Sequence, residues 1–338
     1  MRDLRVGDRL DQYLITDVLA RTEMTMVYDG RDTEGGGRVC IKVPHLHYES
    51  DVVFHQRFER EERILRRLDH RGVVRALEPR CKSRMYTVTE YLEGKTLRTL
   101  IGEGALSAAG AVEIACQLCE TLTHLHERRI VHRDVKPENV VVGPDGRITL
   151  LDFGIALDLG ARRLTWGRLS HTAGTPDYVA PERIKGRRGD QRSDIYSAGL
   201  VLYEMLTGHL PQPGGDAQAI MRARTTEEPL PPTYFAPGLD QALSSVVCKA
   251  IARLPADRHQ TATELLRALR DPGTASDAVA LAGRPARRSL ALPAVVIAAV
   301  LAALFSLTWV SRRASPSEIE HERAHANEHG GSAGSAAP

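Results

Sequence analysis

One loop near the middle of the chain limits the possible folds more than any other feature. Ile130-Val131-His132-Arg133-Asp134-Val135-Lys136-Pro137-Glu138-Asn139-Val140-Val141-Val142 places a carboxylate, an ammonium and a carboxamide on one loop between a helical stretch and a β-type run. A second run, Ile148-Thr149-Leu150-Leu151, then ends in Asp152-Phe153-Gly154. The stretch upstream, Ala111 to Leu125, has apolar residues at helical spacing. Its Cys116-Gln117-Leu118-Cys119 is therefore read as two small core residues, because no second CxxC follows to complete a tetrahedral metal site.

Nearer the N-terminus, Val39-Cys40-Ile41-Lys42-Val43 is a short β-type run with a cation in its middle. In the following segment Phe54, Phe58, Leu65 and Leu68 recur at helical spacing and form an inward stripe on which Glu61 falls. Taken alone, Glu61 also fits a solvated position in a charge-rich helix. A carboxylate on a core-facing edge is costly unless paired, and Lys42 is the suitable partner. The downstream motifs decide for the pair.

Those motifs resemble the catalytic loop (HRDxKxxN) and the metal-binding DFG of the protein-kinase family, and further family motifs follow in order from Tyr13 to about Arg270. The resemblance implies an α+β bilobal protein-kinase fold, with a β-rich N-lobe over 1–92 and a mostly helical C-lobe over 93–271. It also implies transfer of the γ-phosphate of ATP, with Mg²⁺ (or Mn²⁺), to hydroxyls of protein substrates. By the resemblance, Lys42 holds the α- and β-phosphates with Glu61 as its helix partner, Asp134 is the catalytic base, and Asn139 and Asp152 are metal ligands. Lys136, which adds positive charge at the triphosphate, and Thr175 are similar to the Ser/Thr-specific branch. Thr89 aligns with the gatekeeper, Glu90 and Leu92 with the hinge, and Val27, Cys40 and Val141 with the walls around adenine. Gly174 to Glu182 resembles the end of the activation segment, and Ser193 to Gly199 the helix whose Asp194 braces the catalytic loop. Arg258 is the expected ion-pair partner of Glu182.

The departure from the family lies in the glycine-rich loop. Its LGxGxxGxV corresponds to Leu19-Ala20-Arg21-Thr22-Glu23-Met24-Thr25-Met26-Val27, where Ala20, Thr22 and Thr25 replace the glycines. Glycine allows close backbone approach and positive φ, which β-branched Thr resists. A stiffer or more distant lid is expected, with the Thr22 and Thr25 hydroxyls as candidate phosphate donors. Two readings follow, an active kinase and a pseudokinase or nucleotide-binding scaffold.

Arg133, directly before Asp134, resembles kinases whose activation segment is ordered by phosphorylation, and Thr165, Ser170 and Thr172 are the candidate acceptors. Glu138 is a candidate for favouring basic residues in a substrate. Arg63, Arg66, Arg67 and Arg71 are read as a solvated helix face, and His124 and His126 as partly exposed helix residues. With 45 Lys+Arg against 43 Asp+Glu, the chain has no charge excess suited to nucleic acid. Its 5 cysteines are too few and odd in number for a disulfide framework, which points to a reducing compartment.

Leu290 to Val310 carries no charge, and at about 1.5 Å per residue it is ~31 Å long, about the hydrocarbon thickness of a bilayer. A transmembrane helix in contact with lipid is expected over 290–310, flanked by Arg287, Arg288, Arg312 and Arg313, with Trp309 at an interface. Residues 272–289 read as a linker and 311–338 as a disordered tail, in which His321, His325 and His329 recur every fourth position. The N-terminus lacks an apolar signal-peptide core. Since ATP must reach the kinase domain, the expected arrangement is a bacterial, eukaryotic-like, single-pass kinase of the cytoplasmic membrane, with the tail outside. A homodimer for trans-autophosphorylation is compatible with Ala298 and Ala302, although the segment has no GxxxG.

Overall fold

Alternation of apolar and polar residues builds the first lobe. Strands β1 (Arg9–Leu10), β2 (Tyr13–Arg21), β3 (Thr25–Asp32) and β4 (Arg38–Pro44) precede helix α1 (Val52–Leu65), and β5 (Ala76–Leu77) and β6 (Thr87–Glu90) follow it. In this computed structural model they form an antiparallel sheet of order β1-β2-β3-β4-β6-β5. Val39, Ile41 and Val43 of β4 are buried with Tyr13, Ile15, Tyr28, Tyr86 and Val88 in one apolar cluster. Period-two geometry then turns Cys40 and Lys42 to the opposite face. The register Val27↔Lys42, Lys42↔Thr87 and Cys40↔Thr89 adds Val27 and Thr89 to that face.

Helix α1 starts at Asp51, whose carboxylate accepts from the amides of Val53 and Phe54. Phe58, Glu61, Ile64 and Leu65 are buried, whereas Phe54 is only half-buried. Ile64, Leu65 and Leu68 belong to the core of the second lobe, not to the cluster beneath the sheet. The end of α1 is thus anchored in the helical lobe, while its middle carries Glu61 to β4.

The second lobe contains β7 (Lys95–Thr96), α2 (Leu97–Glu103), α3 (Ala108–Glu127), β8 (Ile130–Val131), β9 (Val140–Val142), β10 (Ile148–Leu150) and β11 (Leu157–Asp158). Helices α4 (Pro181–Ile184), α5 (Gln191–Thr207), α6 (Ala217–Thr226), α7 (Gln241–Ala250) and α8 (Ala262–Arg270) follow. Helix α5 is buried on every side from Ser193 to Met205, as its lack of a polar face requires. It meets α7 so closely at Gly199 that a Cβ there would lie 2.8 Å from the side chains of Ala250 and Ile251. Cys116 and Cys119 are free, buried thiols on α3.

The basic face is exposed, as expected, at Arg63, Arg66, Arg67 and Arg71, and three of the four arginines also reach carboxylates. Arg66 bridges Glu62 and Glu78, Arg71 meets Glu120, and Arg67 Nη1 lies 2.5 Å from Asp158 Oδ2, tying the end of α1 to β11.

The structure describes residues 3–104, 106–160, 176–212 and 216–273. Thr165, Ser170, Thr172 and Thr175, the linker from 274, the segment 290–310 and the tail 311–338 lie outside the described residues. Among the described residues no helix is long and apolar enough to cross a membrane.

Candidate active site

The cleft-facing side of the sheet brings Lys42 to two carboxylates. Its Nζ donates to Glu61 Oε1 and Oε2 at 3.0 and 3.1 Å and to Asp152 Oδ1 at 3.0 Å. Burial works against the Lys42 charge, but Asp152 and Glu61 outweigh it and raise its pKa above the ordinary lysine value. Burial likewise opposes the Asp152 charge, yet Lys42 and the Gly154 amide hold this carboxyl well below the usual range. Glu61 is the second anion on one cation, and burial leaves its carboxyl above the ordinary value. Gly154 leaves room for this packing, because a Cβ there would lie 3.1 Å from Asp152 Oδ1 and 3.3 Å from Glu61 Oε2 and would press on both carboxylates.

The catalytic-type loop is built around Asp194, at the start of α5. Asp194 Oδ2 accepts from the His132 amide at 2.9 Å and from His126 Nε2 at 2.9 Å, and Oδ1 accepts from the Arg133 amide at 2.8 Å. Burial opposes the Asp194 charge, but His126, His132 and the Arg133 amide hold its carboxyl below the ordinary value. His126, expected to be partly exposed, has a side chain only 7% exposed because it braces this hub. The His132 ring donates from Nε2 to Leu151 O, 2.9 Å away, and meets the Phe153 ring edge-on at 4.7 Å. Arg133 and Asp152 both adopt left-handed backbone, with φ of 71° and 55°. Such conformations cost about 1–3 kcal/mol each and persist only where surrounding contacts enforce them.

At Asp134 two donors converge on one oxygen. Lys136 Nζ lies 2.8 Å and Asn139 Nδ2 2.9 Å from Asp134 Oδ2, and Asn139 Nδ2 also donates to Asp134 O at 2.8 Å. With its amide nitrogen so engaged, the Asn139 carbonyl oxygen is turned away. That oxygen and the Asp152 carboxylate are hard donors of the kind Mg²⁺ takes, in a site that leaves further positions to phosphate and water.

Glu182, on α4, receives Arg258 in a two-pronged pair and a hydrogen bond from Ser193 Oγ at 2.7 Å. Beside it Arg98, which the sequence did not single out, donates to Glu138 and Glu204 at 2.7 Å each and to the Tyr178 hydroxyl at 2.5 Å. Glu138, expected to attract basic residues of a substrate, already has a cationic partner within the chain.

Thr89 and Glu90 lie on β6, and Leu92 follows it, all half-buried, as are Val27, Cys40 and Val141. Leu19 is 44% exposed on β2, and Ala20 is also exposed. The Thr22 and Thr25 hydroxyls, expected to face phosphate, lie 2.9 Å from each other, and Thr22 Oγ1 accepts from the Thr25 amide at 2.9 Å. No local sequence signal marks this contact or the His126–Asp194 contact.

A protein kinase domain profile matches residues 14–268. The chain is 34% identical over 261 residues to serine/threonine-protein kinase PknB of Mycobacterium tuberculosis, covering 75% of this chain and 42% of that protein. It is 34% identical over 267 residues to a probable serine/threonine-protein kinase, SCO3848, of Streptomyces coelicolor, covering 77% and 39%. The chain therefore spans about two fifths of the length of these curated relatives. The solved kinase domain of Mycobacterium tuberculosis PknI superposes with a TM-score of 0.63 at 26% identity, covering 80% of this chain and 100% of that one. Sequence match, strand-rich and helical lobes, and the charged cluster between them agree: the chain belongs to the protein kinase domain family, and the relatives it matches are bacterial Ser/Thr kinases.

Proposed function

We propose that this protein is an ATP-dependent Ser/Thr protein kinase held at a bacterial cytoplasmic membrane. In this reading 1–271 is the kinase domain on the cytoplasmic side, 272–289 a linker, 290–310 a membrane helix and 311–338 an outer tail. The observation that carries the activity is the convergence of Lys42, Glu61 and Asp152 with the Asp134–Lys136–Asn139 group.

Phosphoryl transfer needs positioning and charge neutralisation more than covalent chemistry. Lys42, fixed by Glu61, meets the α- and β-phosphates, and Lys136 meets the transferring phosphoryl group. Because both donors on Asp134 go to Oδ2, Oδ1 is the atom that accepts the proton of the substrate hydroxyl. Asn139 and Asp152 would hold Mg²⁺ or Mn²⁺, whose charge offsets that of the triphosphate. Val27, Cys40, Thr89, Leu92 and Val141 enclose adenine, with Leu19 and Ala20 above it and the Glu90 and Leu92 backbone as the hinge. Thr175 orients the substrate hydroxyl, and Thr165, Ser170 and Thr172 are the sites of autophosphorylation, in trans between two copies.

The second reading, a pseudokinase or scaffold, is favoured by one observation: the hairpin that replaces the glycine-rich loop engages the amides of Thr22, Met24 and Thr25 internally. Phosphate mapping by mass spectrometry after the full-length protein is incubated with Mg-ATP separates the two. A kinase acquires phosphoserine or phosphothreonine, with sites among residues 161–175, and a scaffold acquires none. A reporter fused after Pro338 that scores as cytoplasmic would overturn the proposed topology.

A further inference from the structure

We propose that His45 is a positioning residue, which holds the glycine-free hairpin between β2 and β3 over the nucleotide through a hydrogen bond from its Nε2 to Thr22 O. The inference rests on the reading that this cleft takes ATP.

The turn that joins β2 to β3 is closed on itself. The Thr22 amide donates to Thr25 O at 2.9 Å, and Thr22 Oγ1 accepts from the amides of Thr25 at 2.9 Å and Met24 at 3.3 Å. These amides sit where a glycine-rich loop would turn its own amides to phosphate, and here the Thr25 carbonyl takes one of them and the Thr22 hydroxyl the other two. A hairpin with its amides so engaged is not drawn onto a triphosphate by them. Its contribution is its position, and a mobile hairpin would lose affinity to the entropy of being ordered on binding.

His45 supplies the hold. It directly follows β4, three residues after Lys42, and is only 6% exposed. Its Nε2 lies 3.0 Å from Thr22 O, and since a carbonyl can only accept, the ring nitrogen is the donor. Its backbone amide donates to Met24 O, also at 3.0 Å. The strand that carries Lys42 therefore also fixes the hairpin, so that lid and phosphate-binding lysine share one frame. On its other side the His45 ring stacks on His47, with centroids 5.8 Å apart and planes within 7°. His47 meets Tyr48, Tyr48 meets Phe54, and Phe54 meets Phe58, one turn before Glu61. This row backs the histidine against α1 and keeps its ring from rotating away.

Two substitutions separate donor from ring. His45→Phe keeps the ring and loses the donor, whereas His45→Gln places an amide nitrogen at the reach of Nε2 and loses the ring. In full-length protein without nucleotide, His45→Phe is expected to speed amide exchange at Thr22 and Thr25 at least tenfold. It is also expected to raise the KM for Mg-ATP fivefold or more, with kcat within twofold. His45→Gln stays near wild type in both. A His45→Phe protein equal to wild type in exchange and KM overturns the proposal, and so does a His45→Gln protein as impaired as His45→Phe. If His45→Phe does not fold, His45→Asn, whose donor sits at the Nδ1 position, carries the same expectation. The exchange measurement needs neither turnover nor nucleotide. A wild-type protein that fails to bind Mg-ATP refutes the proposed function, while the exchange rates still decide whether His45 holds the hairpin.

Discussion

Arg258 and Glu182 form a two-pronged pair in which Nη1 meets Oε1 at 3.0 Å and Nη2 meets Oε2 at 2.8 Å, across 76 residues of sequence and with both side chains buried. The remaining guanidinium donors reach the carbonyls of Ala252, Arg192 and Arg253. Burial alone would raise the Glu182 carboxyl, but Arg258 and Ser193 hold it below its ordinary value. Removing one member leaves a buried charge without compensation, which typically costs about 3–5 kcal/mol. Arg258→Met is expected to lose stability in that range in denaturant unfolding. The double variant Arg258→Met/Glu182→Leu is expected to lose less than the sum of the single changes, as a coupled pair should.

Asp194 holds the catalytic loop through three donors, two of them backbone amides. Asn at this position turns one acceptor into an NH₂ group facing donors, so the loop must shift. Because a displacement of about 1 Å at a reacting centre can cost roughly 10²-fold, Asp194→Asn is predicted to lower kcat by about that factor. Steady-state kinetics should show the loss mainly in kcat, since the Lys42–Glu61 pair lies outside the hub.

The His70 and His124 rings meet at a tilt of 33°, with centroids 4.6 Å apart. Burial first, then Arg71 for His70 and Arg128 for His124, lower both pKa values from the ordinary 6.5, against the opposite pull of Asp69, Glu120 and Glu127. The folded state therefore binds fewer protons than the unfolded chain below pH 6.5. Stability from this pair is complete above that pH and is lost as pH falls through it toward the folded values. Melting temperatures at pH 7.5 and 5.5 are expected to drop more in wild type than in His70→Gln/His124→Gln; an equal drop would remove the pair from the account.

Arg98 engages Glu138 beside the catalytic loop, and Glu204 is shared between Arg98 and the Tyr178 hydroxyl. Wild-type enzyme is therefore expected to show no preference for Arg or Lys near the phosphoacceptor in a peptide library. Arg98→Ala should create one of about tenfold, near the worth of a charge-assisted hydrogen bond.

The two-lobed fold was legible because its motifs occur in order and fall on apolar periodicities that specify strand or helix. The Lys42–Glu61 contact was legible for a physical reason. A cation inside a β run and a carboxylate on an apolar helix stripe each need a partner, and few candidates existed. Arg98, His126 and His45 were not legible. Each is an ordinary polar residue on an ordinary element, and its partners, at Glu204, Asp194 and Thr22, are brought near only by tertiary packing. The arginines after Glu61 are exposed as their periodicity indicates, but their partners were not legible, because a long side chain such as Arg67 can still reach Asp158.

The central claim is that the chain turns over ATP although its phosphate loop has no glycine. Its most direct test is the rate of γ-phosphate transfer from Mg-ATP to a Ser/Thr peptide by the full-length protein and by Asp134→Asn. The account predicts transfer by wild type that exceeds the variant by about 10²–10⁴-fold, the usual contribution of a positioned base. Equal rates, or nucleotide binding by wild type with no transfer, would contradict it.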